Sequence, residues 1–184
     1  MYRSIKTGKS FQDIYKESIT TKKQKRVFQT TLEEVDSAIE WYEDLLGKIS
    51  NYTKEQMTRS LLVFSELYMN AFEHGNLRIS AKEKGDLLKE DTYLQKLQEL
   101  QKRYQKSKIE VTVCKMLSKD REYIVTKICD EGDGFDAFLV IEPGDETTKL
   151  NGRGILMSQK NCIDIFYNTQ GNCVLFLNEE ERQR

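Results

Sequence analysis

The chain has 184 residues, 38% hydrophobic and 32% charged, which is enough apolar material for one packed domain and too much for a disordered chain. Its 29 basic residues nearly balance 30 acidic ones, and a net charge of −1 supplies no overall field for direct nucleic-acid or anionic-membrane binding. No stretch approaches the roughly 20 apolar residues that a membrane span needs.

Met1 to Ser10 lack the apolar core of a secretory signal. Residues 1–24 are polar and weakly patterned and read as a leader that packs late or not at all, ahead of a domain over 25–184. The cluster Lys22-Lys23-Gln24-Lys25-Arg26 reads as solvated chain leading into a short strand at Val27 to Thr31. A helix follows from Leu32 to Leu46, with Thr31 as cap, Glu34 three residues on, and Gly47 as its end. A second helix opens at Thr53, with Gln56 at the capping-box position, and runs to about Glu73. His74-Gly75-Asn76 ends it, since Gly and Asn tolerate the left-handed conformation.

From Leu77 to Ser107, Lys, Glu and Gln alternate with Leu87, Leu88, Tyr93, Leu94, Leu97, Leu100 and Tyr104 at three- and four-residue spacings. That pattern predicts an amphipathic helical insertion broken near Asp91-Thr92. Strands come next: Ile109, Val111 and Val113 alternate with polar residues, and Tyr123 to Cys129 follows a turn at Ser118-Lys119-Asp120. Asp130 to Gly134 is glycine-rich and acidic, and the chain stays loop-like to Asn151. Gly154 to Lys160 reads as a short helix, and Ile163–Tyr167 with Cys173–Leu177 as a hairpin around Gln170-Gly171. Grouped strands that do not alternate strictly with helices fit an α+β sandwich, with a mixed sheet covered on one face by helices. Cys114, Cys129, Cys162 and Cys173 are widely spaced with no CxxC pair, which argues against disulfides and a zinc site and for a reducing cytoplasm.

Three constellations carry chemistry. On a wheel of about 100° per residue, Leu61, Phe64, Tyr68, Ala71 and Phe72 of the second helix face the sheet, while Glu66, Asn70, Glu73 and His74 share the opposite stripe near Arg59. A carboxylate and an amide among apolar neighbours need partners, although a solvent-facing stripe accounts for the helix alone equally well. Asp130-Glu131-Gly132-Asp133-Gly134 sits directly after a strand, where glycines let the backbone approach a ligand and a carboxylate can accept from an exocyclic amine. A calcium loop is the competing idea, but the EF-hand spacing and its terminal Glu are missing. Asn151-Gly152-Arg153-Gly154 precedes a helix, whose N-terminal amides can cradle phosphates. The spacing is neither that of a Walker loop nor that of a dinucleotide fingerprint.

Taken together, Glu66-x3-Asn70-x3-His74-Gly75, then Asp130-x-Gly132-x-Gly134, then Gly152-x-Gly154 resemble the N, G1 and G2 boxes of the GHKL (Bergerat-type) ATPase superfamily over about residues 27–178. Within it, Asn70-Ala71 through His74-Gly75-Asn76, and Gly152 to Met157 with Ile163-Asp164 and Gly171-Asn172, are most similar to the bacterial anti-sigma-factor serine/threonine kinases. The resemblance implies a two-layer α/β sandwich and ATP and Mg2+ as cofactors. It implies Glu66 as general base and Asn70 as the Mg2+ ligand. It implies Asp130 on the adenine N6, with Gly132 and Gly134 making room for the base. Gly152, Arg153 and Gly154 would wrap the phosphates, His74 would border the triphosphate, and Phe135 to Asn151 would form a mobile lid. Implied partners are a STAS-type anti-sigma-factor antagonist as substrate and a sigma factor or equivalent regulator as client; homodimerisation is left open. Two departures stand out: the 77–107 insertion is longer than in the compact sporulation kinases, and Asn151 stands where several relatives have a small hydroxyl residue. A histidine autokinase needs a phosphoacceptor histidine, whereas the sole histidine, His74, lies inside the nucleotide box. A non-catalytic module that sequesters a partner under ATP control is the remaining alternative.

Overall fold

The computed structural model describes residues 1–137 and 153–180. Strand β1 (Tyr2–Ser4), helix α1 (Phe11–Ile14) and strands β2 (Ile19–Thr20) and β3 (Gln24–Gln29) precede the helices α2 (Leu32–Ile49) and α3 (Lys54–Asn70). A π-turn (Ala71–Asn76) continues α3. Helices α4 (Ala81–Lys89) and α5 (Tyr93–Tyr104), strands β4 (Lys108–Ser118) and β5 (Arg121–Cys129), helix α6 (Arg153–Asn161), and strands β6 (Asp164–Asn168) and β7 (Cys173–Glu180) complete the described chain. The sheet is seven-stranded, ordered β1-β6-β7-β5-β4, with β2 and β3 following one another along the outer edge of β4. The α+β sandwich is therefore as expected, except that each described strand pairing is antiparallel where a mixed sheet was anticipated.

Period-two alternation splits β4 between two cores. Ile109, Val111 and Val113 face α2, α3 and α5, while Cys114 and Met116 face away from them. On the helical side Tyr42 stacks on Phe64 with ring centroids 4.1 Å apart. The Tyr42 hydroxyl is satisfied by Ser60 and Thr126, and Asn178 donates to Ser60, so α2, α3, β5 and β7 share one buried polar knot.

Several sequence expectations are corrected here. Residues 1–24 are not a loose leader: β1 pairs with β6, β2 pairs with β4, and Tyr2, Phe11, Ile14 and Tyr15 cover the second face of the sheet. The edge strand starts at Gln24 rather than Val27, because Lys25 gains a cross-strand partner in Glu110 at 2.6 Å. Gly47 does not end α2, which runs to Ile49 and closes with the Ser50 amide on the Leu46 carbonyl. The second helix keeps its predicted start, with the reciprocal Thr53–Gln56 capping box in place. The insertion is two helices broken at Glu90 to Thr92, with Asp91 in the left-handed region at φ 56°. Finally, Cys129 and Cys173 form a disulfide. They are 44 residues apart in sequence but directly opposite each other in the β5–β7 ladder, a juxtaposition that spacing along the chain does not reveal. Among the described residues no helix is long and apolar enough to cross a membrane.

Candidate nucleotide site

Glu66 and Asn70 lie one turn apart on α3, both half-buried. Past Asn70 the helix widens, and the Leu77 amide bonds the carbonyl of Phe72, five residues back. This wider turn breaks the wheel arithmetic. Glu73 rotates off the stripe it was expected to share with Glu66 and Asn70, and is only 1% exposed. Its carboxylate accepts from Lys84 Nζ at 2.5 Å and from the Tyr93 hydroxyl, so it anchors the insertion rather than facing a ligand. Burial, and then this carboxylate, push the Tyr93 phenol above its usual range. Arg59 pairs with Glu55 on its own helix. His74 stays exposed, with Nδ1 against the Ile79 carbonyl. The left-handed residue beyond the turn is Arg78, at φ 57°, rather than Gly75 or Asn76.

The acidic loop after β5 closes on this turn. A Cβ on Gly75 would stand 2.4 Å from the Asp130 carboxyl carbon, and one on Gly132 would stand 2.5 Å from the Gly75 carbonyl oxygen. Only glycines allow that approach. Asp130 Oδ1 accepts from the Gly132 amide at 2.8 Å. Its pKa is nevertheless raised to about 6, because burial outweighs the backbone hydrogen bonds that favour the anion. Tyr167 is buried in the same wall, and its phenol is pushed up by burial and then by the Asp130 charge.

These groups enclose a cavity of about 190 Å³. Asn70, His74 and Gly75 line it from α3 and the π-turn, and Asp130 and Gly134 from the acidic loop. Tyr167, Asn172 and Val174 close the sheet side, Ile155 the α6 side, and Ala81 the start of the insertion. The result is a largely apolar chamber with one half-buried carboxylate. Gly132 stands behind Asp130 and does not line the chamber. Glu66 is at the adjoining end: a Cβ on Gly154 would lie 2.5 Å from Glu66 Oε2 and 3.9 Å from Asn70 Nδ2. The structure thus brings Glu66, Asn70 and Gly154 together on one side, and Asp130, Gly132 and Gly75 on the other. Gly152, the Arg153 side chain, and the expected lid beyond Ala137 lie outside the described residues.

Sequence reasoning missed Tyr167, Ile155, Val174, Ala81 and Asn172 as lining residues. Strand alternation marks Tyr167 and Val174 as inward-facing but cannot tell a filled core from a chamber. Among the described residues no group of three or more His, Cys, Asp or Glu is placed to hold a metal ion. The hard oxygen donors at hand are the Asn70 amide and the Glu66 carboxylate, a set that suits Mg2+ shared with phosphate oxygens.

Residues 28–177 match the histidine kinase-like ATPase domain family. No match was found among curated proteins. A matched span covering most of the chain, over a glycine-lined chamber with a half-buried carboxylate, places the chain in the histidine kinase-like ATPase family, an ATP-binding domain of the GHKL type.

Proposed function

We propose that the chain is an ATP- and Mg2+-dependent serine/threonine kinase of the anti-sigma-factor type, acting on a small STAS-type antagonist. The observation that supports it is the carboxylate of Glu66 beside Gly154 at the start of α6, where helix amides would meet phosphate oxygens. Asp130 and the chamber behind it take the adenine, which directs the triphosphate toward Asn70 and Gly154. The Asn70 amide oxygen would hold Mg2+, which when bound would offset negative charge on the phosphates. A partner hydroxyl then attacks the γ-phosphorus. Its oxygen forms the new P–O bond, the bond to ADP breaks, and Glu66 accepts the hydroxyl proton. A sigma factor or equivalent regulator would be the second client, held or released according to the phosphorylation state of the antagonist. ATP as substrate points to the cytoplasm, where the Cys129–Cys173 bridge would meet a reducing environment.

Incubation with radiolabelled ATP, Mg2+ and a candidate STAS partner tests the reading. It requires about one phosphate per partner on serine or threonine, lost in Glu66→Ala while Mg-ATP affinity survives, because loss of a general base acts on the transition state. A partner that binds tightly under ATP, yet shows no added phosphate by mass spectrometry, would establish sequestration instead.

A further inference from the structure

Asn76 follows the glycine that packs on Asp130, and it is 2% exposed. Its side chain uses both ends. Oδ1 accepts the Glu131 amide at 2.8 Å, and Nδ2 donates to Thr30 Oγ1 at 2.8 Å and to the Lys108 carbonyl at 3.1 Å. The Lys108 amide in turn donates to Glu131 Oε2 at 3.2 Å. Asn76, Lys108 and Glu131 therefore form a closed ring of hydrogen bonds that ties the π-turn, the start of β4 and the acidic loop together. The amide it grips belongs to the residue immediately after Asp130. On the other side Asn172 receives the Asp130 amide on its carbonyl at 3.0 Å and donates to the Asp130 carbonyl at 3.3 Å. Asp130 is thus held between two asparagines.

From this we infer that Asn76 is a positioning residue for nucleobase selection: it sets where the Asp130 carboxylate stands and so confers the preference for a purine with an amine donor, rather than an oxygen acceptor, at its 6-position. The inference rests on the reading of Asp130 as the adenine acceptor. An acceptor discriminates only if its oxygen is fixed, because a shift of a few tenths of an ångström lets a wrong edge find a compromise geometry. An amide side chain suits the task, since it must accept from one peptide and donate to another at the same time.

The test is the ratio of ATP to GTP affinity by calorimetry, for wild type, Asn76→Ala and Thr30→Val. A ratio is insensitive to the fraction of protein that is folded, so a merely structural role leaves it unchanged. Asn76→Ala is expected to weaken ATP about tenfold, corresponding to about 1.4 kcal/mol, while GTP changes by less than about twofold to threefold. Thr30→Val, which deletes one of the two acceptors of Asn76 Nδ2, should shrink the ratio at least about twofold, and it carries the test if the alanine variant does not fold. Wild-type discrimination that persists unchanged in the variants overturns the role of Asn76 alone. Equal ATP and GTP affinities in the wild type overturn the reading of Asp130 together with it.

Discussion

Asp130 is an anion in a place that disfavours anions. Burial lifts its pKa from 3.8 to about 6, so between those values the folded protein keeps a proton that the unfolded chain releases. Its contribution to stability is therefore complete below pH 3.8 and is lost as pH rises through 6. At neutral pH the carboxylate is ionised, a state that an amine donor on a ligand would relieve. Asp130→Asn keeps the acceptor for the Gly132 amide and removes the charge. It should stabilise the ligand-free protein by on the order of 1 kcal/mol at pH 7.5 and by nothing at pH 4, while losing most ATP affinity. Thermal melts at both pH values, with calorimetry at the higher one, check both halves. Wild-type ATP affinity should likewise weaken as pH falls below about 6. At this scale the sequence was informative where the chemistry is contiguous, as in Asp130-Glu131-Gly132. Glu73 was misread because its position depends on a five-residue hydrogen bond that a uniform helical wheel cannot anticipate.

Among the elements, the starts of α2 and α3 were legible and the end of α2 was not. Thr31 and Thr53, both expected as caps, each accept an amide three residues on, whereas Ser80 does the same for α4 at a start that the sequence pattern did not place. Gly47 looked like a terminator, yet α2 passes through it because Leu46 is fully buried and Ile49 packs on the same core. Tertiary burial outweighs the local preference of one glycine. That leaves a removable weakness. A Cβ at Gly47 or at Gly85 in α4 would meet nothing within 4 Å, and neither residue has a positive φ. Gly47→Ala and Gly85→Ala should each raise stability by about 0.5–1 kcal/mol without touching the chamber. Denaturant midpoints, with unchanged ATP affinity, would bear this out; destabilisation by either variant would contradict it. The insertion was legible as amphipathic, but its stripe is only partly used. Leu97 and Leu100 are buried, whereas Leu88 and Leu94 remain 56% and 66% exposed. The link from the insertion back to the π-turn, Lys84 and Tyr93 on Glu73, was invisible because it joins residues by geometry rather than by periodicity.

For the molecule as a whole, the sheet has two clothed faces, and the second is supplied by the segment that sequence patterning treats as dispensable. Phe11 meets Phe166 edge-on at 5.3 Å, and Tyr15 meets Tyr123 at 5.7 Å. Deletion of residues 1–18 would bare Met116, Phe166 and Leu177, which are at most 1% exposed. The truncated protein should melt at lower temperature and bind a hydrophobic dye, whereas a dispensable leader would leave both readings unchanged. The segment escaped notice because each of its pieces is too short to show a period, and its partners lie more than a hundred residues away in β6 and β7. The disulfide escaped for the same topological reason, and it has a mechanical corollary. Cys129 and Cys173 close a covalent ring around α6, β6 and the acidic loop, 44 residues in separation. Ring closure of that size restricts the unfolded chain by about 4 kcal/mol. A single proteolytic cut within 130–172 would therefore leave two fragments travelling as one band on a denaturing gel, parting only when a thiol reductant is added.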